Sequence, residues 1–153
     1  MKRFVLIALP VALTAVACNN GSSSSPTPTT ATSQTFTTEV LTGTVPVPVN
    51  GVLQSEFKPF TVGQGGGQIS VTLTSAVETL PGGTLLTTVT MGLAIGTLSG
   101  TTCTIIPNAS TPAQGGSVPQ LSGSLAAGTY CVQLSDITNQ VGPVAYAVAV
   151  VHP

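Results

Sequence analysis

Residues 68–76 hold the cleanest alternation in the chain: Ile69, Val71 and Leu73 fall on one parity, Ser70, Thr72 and Thr74 on the other. Successive side chains of an extended chain point to opposite faces, so the pattern specifies a half-buried β-strand. It recurs along the chain. Residues 86–98 set Val89, Met91, Leu93 and Ile95 against Thr90, Gly92, Ala94 and Gly96. Residues 128–136 set Tyr130, Val132 and Leu134 against Thr129, Cys131, Gln133 and Ser135, and residues 143–151 set Tyr146, Val148 and Val150 against three alanines. Shorter runs occupy 57–62, 101–106 and 120–125. In 36–49, Pro46 and Pro48 cannot donate ladder hydrogen bonds, which makes that run an edge strand or strap; Pro59 implies an edge or bulge likewise. Asn50-Gly51, the glycine run 63–67, Pro81-Gly82-Gly83 and Ser99-Gly100 are turn signals, and 107–118 is expected to be a loop. No segment sustains a helical period. About eight short strands with turn chemistry between them predict an all-β domain over residues 36–153, an antiparallel β-sandwich or jelly roll.

Composition narrows the partners. Charged residues make up only 5% of the 153 residues, against about a quarter in ordinary domains. Two of the three basic residues, Lys2 and Arg3, sit at the N-terminus, and Lys58 alone cannot build a phosphate-gripping face, so nucleic acid is excluded as a partner. A hydrophobic content of 42% excludes disorder of the whole chain.

The first 17 residues carry an export signal: Met1-Lys2-Arg3, then the uncharged apolar run 4–17 ending in small residues. That run is shorter than the roughly 20 residues a bilayer span needs. Ala15-Val16-Ala17 fits an ordinary signal-peptidase site. Followed by Cys18, the same residues resemble the lipobox of bacterial lipoproteins, although Ala15 stands where that family more often has Leu. The resemblance implies a diacylglyceryl group on Cys18, palmitate-type acylation, and attachment to the membrane through the N-terminal lipid. Asn19, in place of the Asp that retains such proteins in the inner membrane, implies the outer membrane of the cell envelope. Residues 18–35 then form the lipidated cysteine and a Ser/Thr/Pro-rich linker. It cannot bury enough surface to offset its backbone entropy and is expected to be disordered, with a reach of roughly 20–25 Å as a coil.

Within the domain, Phe60-Thr61-Val62, Ile69 to Leu73, Met91 to Ile95, Ala127-Gly128-Thr129-Tyr130-Cys131-Val132 and Tyr146 to Val150 occur in that order. This series resembles the bacterial pre-peptidase C-terminal domain family, a secreted β-sandwich often appended to exported peptidases. Here no peptidase accompanies it, and few of the acidic residues that some related domains use for calcium are present.

With Cys18 acylated, Cys103 and Cys131 remain as an even pair in an oxidising compartment, and a disulfide is the expected outcome. It would close a span of about 28 residues and stabilise by roughly 3–4 kcal/mol in the chain-entropy model. A metal site or a catalytic thiol are the alternatives; the first needs further ligands and the second an adjacent base. His152, beside Pro153, is expected to be exposed. Glu39, Glu56, Glu78 and Asp136 are spread over separate segments and are expected to be solvated. Asp136 and Asn139 share a loop that offers oxygens to calcium, which takes six to eight and usually several carboxylates. The 63–67 glycine run leads into a strand, so it lacks the helix N-terminus that cradles phosphate.

No catalytic residue, cofactor or metal is assigned. These readings lead to a non-catalytic envelope lipoprotein whose sandwich binds a protein or glycan, or serves as a scaffold, through loops at one end. An exported enzyme or enzyme subunit is the alternative, and a purely structural coat protein a third.

Overall fold

A computed structural model of the protein describes residues 34–153. The expected signal peptide, the Cys18 acylation site and residues 19–33 of the expected linker lie outside the described residues. Nine strands form two antiparallel sheets: β1 (Thr37–Val45), β2 (Ser55–Val62), β3 (Gly67–Thr79), β4 (Leu85–Leu86), β5 (Met91–Ser99), β6 (Thr102–Ala113), β7 (Leu121–Leu125), β8 (Gly128–Ser135) and β9 (Val144–His152). One sheet has the order β1-β9-β3, with β7 and the two-residue β4 sharing the far side of β3; the other has the order β2-β8-β5-β6. Apart from β4 the pairing is nested: β1 with β9, β2 with β8, β3 with β7, β5 with β6. Successive pairs alternate between the sheets, which is the jelly-roll arrangement of a β-sandwich.

The alternating residues fill the space between the sheets. Val71, Leu73, Val148 and Val150 from one sheet meet Met91, Leu93, Val132 and Leu134 from the other, all of them buried. Both proline-bearing runs lie at edges. β1 ends at Val45, before Pro46, and β2 carries Pro59 on the outer strand of its sheet, where one missing N–H leaves no partner unsatisfied. Asn50 and Gly51, with φ of 52° and 76°, close a small turn bridged by Val49 and Val52, the doubly positive geometry that favours Asn-Gly.

Two boundaries differ from expectation. Residues 107–113, expected as loop, continue β6. That strand is an edge, so Pro107 and Pro112 cost it no ladder bonds on its free side, and its register slips opposite Ala94 and Gly96, with Asn108 at φ 63°. The expected single strand 86–98 divides. Leu85 and Leu86 pair with β3, and the chain then crosses to the other sheet before Met91. Val89 stays buried through the crossing, so the alternation runs on while the hydrogen-bonding partner changes.

The middle of β3 is shielded by side chain and loop. Gln120 Oε1 accepts from Leu73 N at 2.8 Å, and the amides of Gly116 and Gln120 donate to Leu73 O and Val71 O. Loop 114–120 thus supplies strand-like partners to a stretch that otherwise presents a bare edge.

Candidate functional site

Cys103 on β6 and Cys131 on β8 form a disulfide, with Cα atoms 6.0 Å apart. The strands flank β5, and the bridge passes over Gly96, where a Cβ would lie 2.8 Å from Cys103 Sγ and 2.6 Å from Thr104 O. The glycine is therefore what lets the sulfurs cross the outer face of the sheet. Cys131 points away from the Val132 and Leu134 side and is buried beneath this crossing.

Two of the four carboxylates correct the sequence expectation of solvation, while Glu39 and Glu56 stay partly exposed. Glu78 is 1% exposed and Asp136 3%. The bulge at Thr74, where pairing with β9 skips from Leu73 to Ser75, resets the parity of β3, so that Ala76 and Glu78 turn inward together. Glu78 Oε1 accepts from the amides of Val141 at 2.5 Å and Gly142 at 2.7 Å. Asp136 Oδ1 accepts from the amides of Thr138, Asn139 and Gln140. Gln140, which sequence reasoning did not single out, sends Nε2 to the carbonyls of Val45, Pro46 and Gly142 at 2.8–3.1 Å. Backbone groups replace water around Glu78 Oε1, Asp136 Oδ1 and Gln140 Nε2, whereas Asp136 Oδ2 and Gln140 Oε1 are buried without a hydrogen-bond partner.

These bonds make loop 136–143 the hub of one end of the sandwich. It meets the β1–β2 connection through Gln140 and through the Asp136 amide, which donates to Gln54 O. It meets the β3–β5 connection through Glu78, through Thr79 N donating to Pro143 O, and through Asn139 Nδ2 donating to Thr90 O. Gly142 sits so close to Thr79 that a Cβ would fall 1.9 Å from its carbonyl oxygen. Eight of the eleven exposed large apolar side chains among the described residues lie on these three connections: Val47, Val49, Val52 and Leu53 on the first, Leu85 and Leu86 on the second, Ile137 and Val141 on the third. The charge of this end is inside and its aliphatic surface outside. Single exposed apolar residues are ordinary; here most of them gather at one end.

The remaining ionisable groups line the open side of the sandwich between the edge strands β1 and β2. Glu56 Oε2 accepts from Thr44 N at 2.7 Å, and Glu56 Oε1 pairs with Lys58 Nζ at 2.8 Å. Gly43 leaves room for that carboxylate and for the Tyr146 hydroxyl. Burial pushes the Tyr146 hydroxyl above its ordinary range and the nearby Glu56 charge pushes it further. The hydroxyl itself finds no partner in hydrogen-bonding geometry, so the carboxylate acts mainly through its charge. His152, expected to be exposed, is 7% exposed. It shares the parity of Tyr146, Val148 and Val150, a signal already present in the sequence. Its Nε2 lies 3.6 Å from Glu39 Oε2, and both residues line a cleft of about 340 Å³ with Pro59, Phe60 and Thr61.

Chemically, neither region brings a nucleophile to a base. The Asp136–Asn139 pair brings one carboxylate, whose Oδ1 is committed to three amides, and an amide group whose Nδ2 faces Thr90 O, well short of the six to eight oxygens calcium takes. Among the described residues no three His, Cys, Asp or Glu side chains cluster as metal ligands. The 63–67 run is a turn between β2 and β3, with Gly66 N donating to Gly63 O and Gly65, Gly66 and Gly67 at positive φ. No family model, curated protein or solved structure matches the chain, so the resemblance to the pre-peptidase C-terminal domain family rests on its short motifs alone.

Proposed function

We propose that this protein is a non-catalytic lipoprotein of the cell envelope. In this reading Cys18 carries the lipid that attaches it to the membrane, the outer membrane by the residue at 19, and the jelly roll is a binding module. The observation that carries the binding role is the loop end: three connections pinned together by buried Glu78, Asp136 and Gln140, presenting aliphatic side chains with no exposed charge among them. A rigid base under an apolar, uncharged tip suits the desolvated centre of a protein–protein contact. A protein partner fits better than a glycan, because the exposed large apolar side chains of the tip are all aliphatic and supply no aromatic platform. Phe36 and β1 enter the domain at the opposite end, beside the 63–67 turn, where Gln34 donates to Gly66 O.

Three experiments test this reading. Cys18→Ser, or inhibition of lipoprotein signal peptidase, is expected to abolish acylation and release the protein from the membrane fraction; an unchanged fraction overturns the anchor. Photo-crosslinkers at Leu85 or Val52 in intact envelopes are expected to capture a discrete partner, whereas crosslinkers at Thr101, at the opposite end, are not. Robust turnover of peptide, ester or glycoside substrates by the purified chain would refute the non-catalytic role.

A further inference from the structure

Asn50-Gly51 closes the small turn of the β1–β2 connection, and the structure leaves both residues open to chemistry. Both are exposed, and nothing lies within 4 Å of the position a Gly51 Cβ would take. The turn is held by two backbone bonds, Val49 N to Val52 O at 3.2 Å and Val52 N to Val49 O at 2.9 Å, and by Gln54 Nε2 donating to Val52 O. None of these bonds uses the Gly51 amide. The bridge stands outside the nine strands, and an isolated pair of this kind is marginal in water, so it opens without disturbing either sheet.

The other two asparagines among the described residues lack this combination. Asn139 is anchored by Nδ2 on Thr90 O, and the amide that follows it, Gln140 N, is buried and committed to Asp136 Oδ1. Asn108 lies within β6, and the residue after it, Ala109, is half-buried and carries a methyl group. At Asn50 the next residue is a glycine, whose nitrogen no side chain shields.

From this we infer that Asn50 is a site of spontaneous covalent modification, converted to aspartate and isoaspartate through a cyclic imide with Gly51. The Gly51 nitrogen gives its proton to solvent base and attacks Asn50 Cγ; the new C–N bond closes the imide ring, and the side-chain nitrogen leaves as ammonia. Water then opens the ring. Breaking the bond to Cγ restores the ordinary backbone as aspartate. Breaking the bond to the backbone carbonyl carbon leaves the chain running through the side chain, as isoaspartate. In sum, one water enters, one ammonia leaves and one carboxylate is gained, with no change of oxidation state. The product puts a negative charge between Val49 and Val52, at an end of the sandwich whose connections expose aliphatic side chains. The chemistry is independent of any partner at that end.

The test is timed incubation of the full chain, extracted in detergent, at neutral and at mildly alkaline pH, followed by site-resolved peptide mass spectrometry. The mapping separates Asn50 from Asn20, the other asparagine followed by glycine in the sequence. Expected is loss of Asn50 with a gain of both isoaspartate and aspartate, faster at the higher pH because the attacking nitrogen must lose its proton. The rate is expected to exceed those at Asn108 and Asn139 by at least about tenfold, a barrier difference of only about 1.4 kcal/mol. Gly51→Ala, which has space for its methyl group, is expected to slow conversion at Asn50 by a similar factor. Equal rates at the three sites, aspartate without isoaspartate, or an unchanged rate in Gly51→Ala overturns the proposal.

Discussion

The two ends of the jelly roll solve the same problem in opposite ways. At the turn end the chain reverses in short connections rich in glycine, such as 63–67 and Ser99-Gly100, and little side-chain chemistry is needed to hold them. At the loop end the connections are longer, and their backbone groups would be left unsatisfied if nothing polar reached them. Glu78, Asp136 and Gln140 supply those partners from within. The comparison teaches why so few charged residues suffice here: two of them are consumed as internal fasteners. Fastening the loops from inside also frees their outer surface to be apolar. A loop end built this way is fastened through its backbone and apolar at its surface.

The comparison can be broken most sharply at Gly142. In Gly142→Ala the new Cβ meets the Thr79 carbonyl at 1.9 Å, so the hub loop must leave its seat. A loss of about 4 kcal/mol or more is expected in denaturant unfolding, whereas Gly65→Ala at the turn end, with open space around its Cβ position, carries only the cost of a positive φ, about 1 kcal/mol. Next in size, opening the Cys103–Cys131 bridge by Cys131→Ser is expected to cost about 2–5 kcal/mol without altering the loop end, which amide exchange of residues 136–143 would verify. Glu78→Ala leaves the buried Gly142 amide and the part-buried Val141 amide without an acceptor and is expected to cost about 1–3 kcal/mol for the buried one, with loss of exchange protection confined to that end.

Smaller effects sharpen the picture. Tyr146 has a raised folded pKa, so above the ordinary tyrosine value of about 10 the unfolded chain releases a proton that the folded one keeps. Stability therefore falls as pH rises past that point. Tyr146→Phe is expected to remove this alkaline loss and, because the hydroxyl has no partner, to leave neutral-pH stability undiminished; a large destabilisation by the variant would show that the hydroxyl is engaged after all. Smallest for the fold is Leu85→Ser with Leu86→Ser, expected to move stability within about 0.5 kcal/mol per site while abolishing partner capture at the tip. Loss of capture by a control change at Val40, on the outer face of β1, would instead argue against the loop end.

Residues 68–76, the later part of 86–98, 128–136 and 143–151 announced their strands, their buried face and the edge position of the proline-bearing runs, because period-two alternation and proline chemistry are local properties that survive in any β context. The even pair Cys103 and Cys131 likewise pointed to its bridge. Even the burial of His152 was implicit in its parity on the last strand. What the local pattern could not carry is anything that depends on partner identity. Nothing in residues 86–98 says that the chain changes sheets before Met91, since Val89 points inward on either course. Nothing around Glu78 distinguishes a solvated carboxylate from a buried one, because the one-residue bulge at Thr74 reverses the parity of all that follows it. The nested pairing, the gathering of three loops around Gln140, and the meeting of Glu39 with His152 were decided only by the tertiary structure. They join residues distant in the chain, and the free energy that selects them comes from packing the two sheets and satisfying buried polar groups.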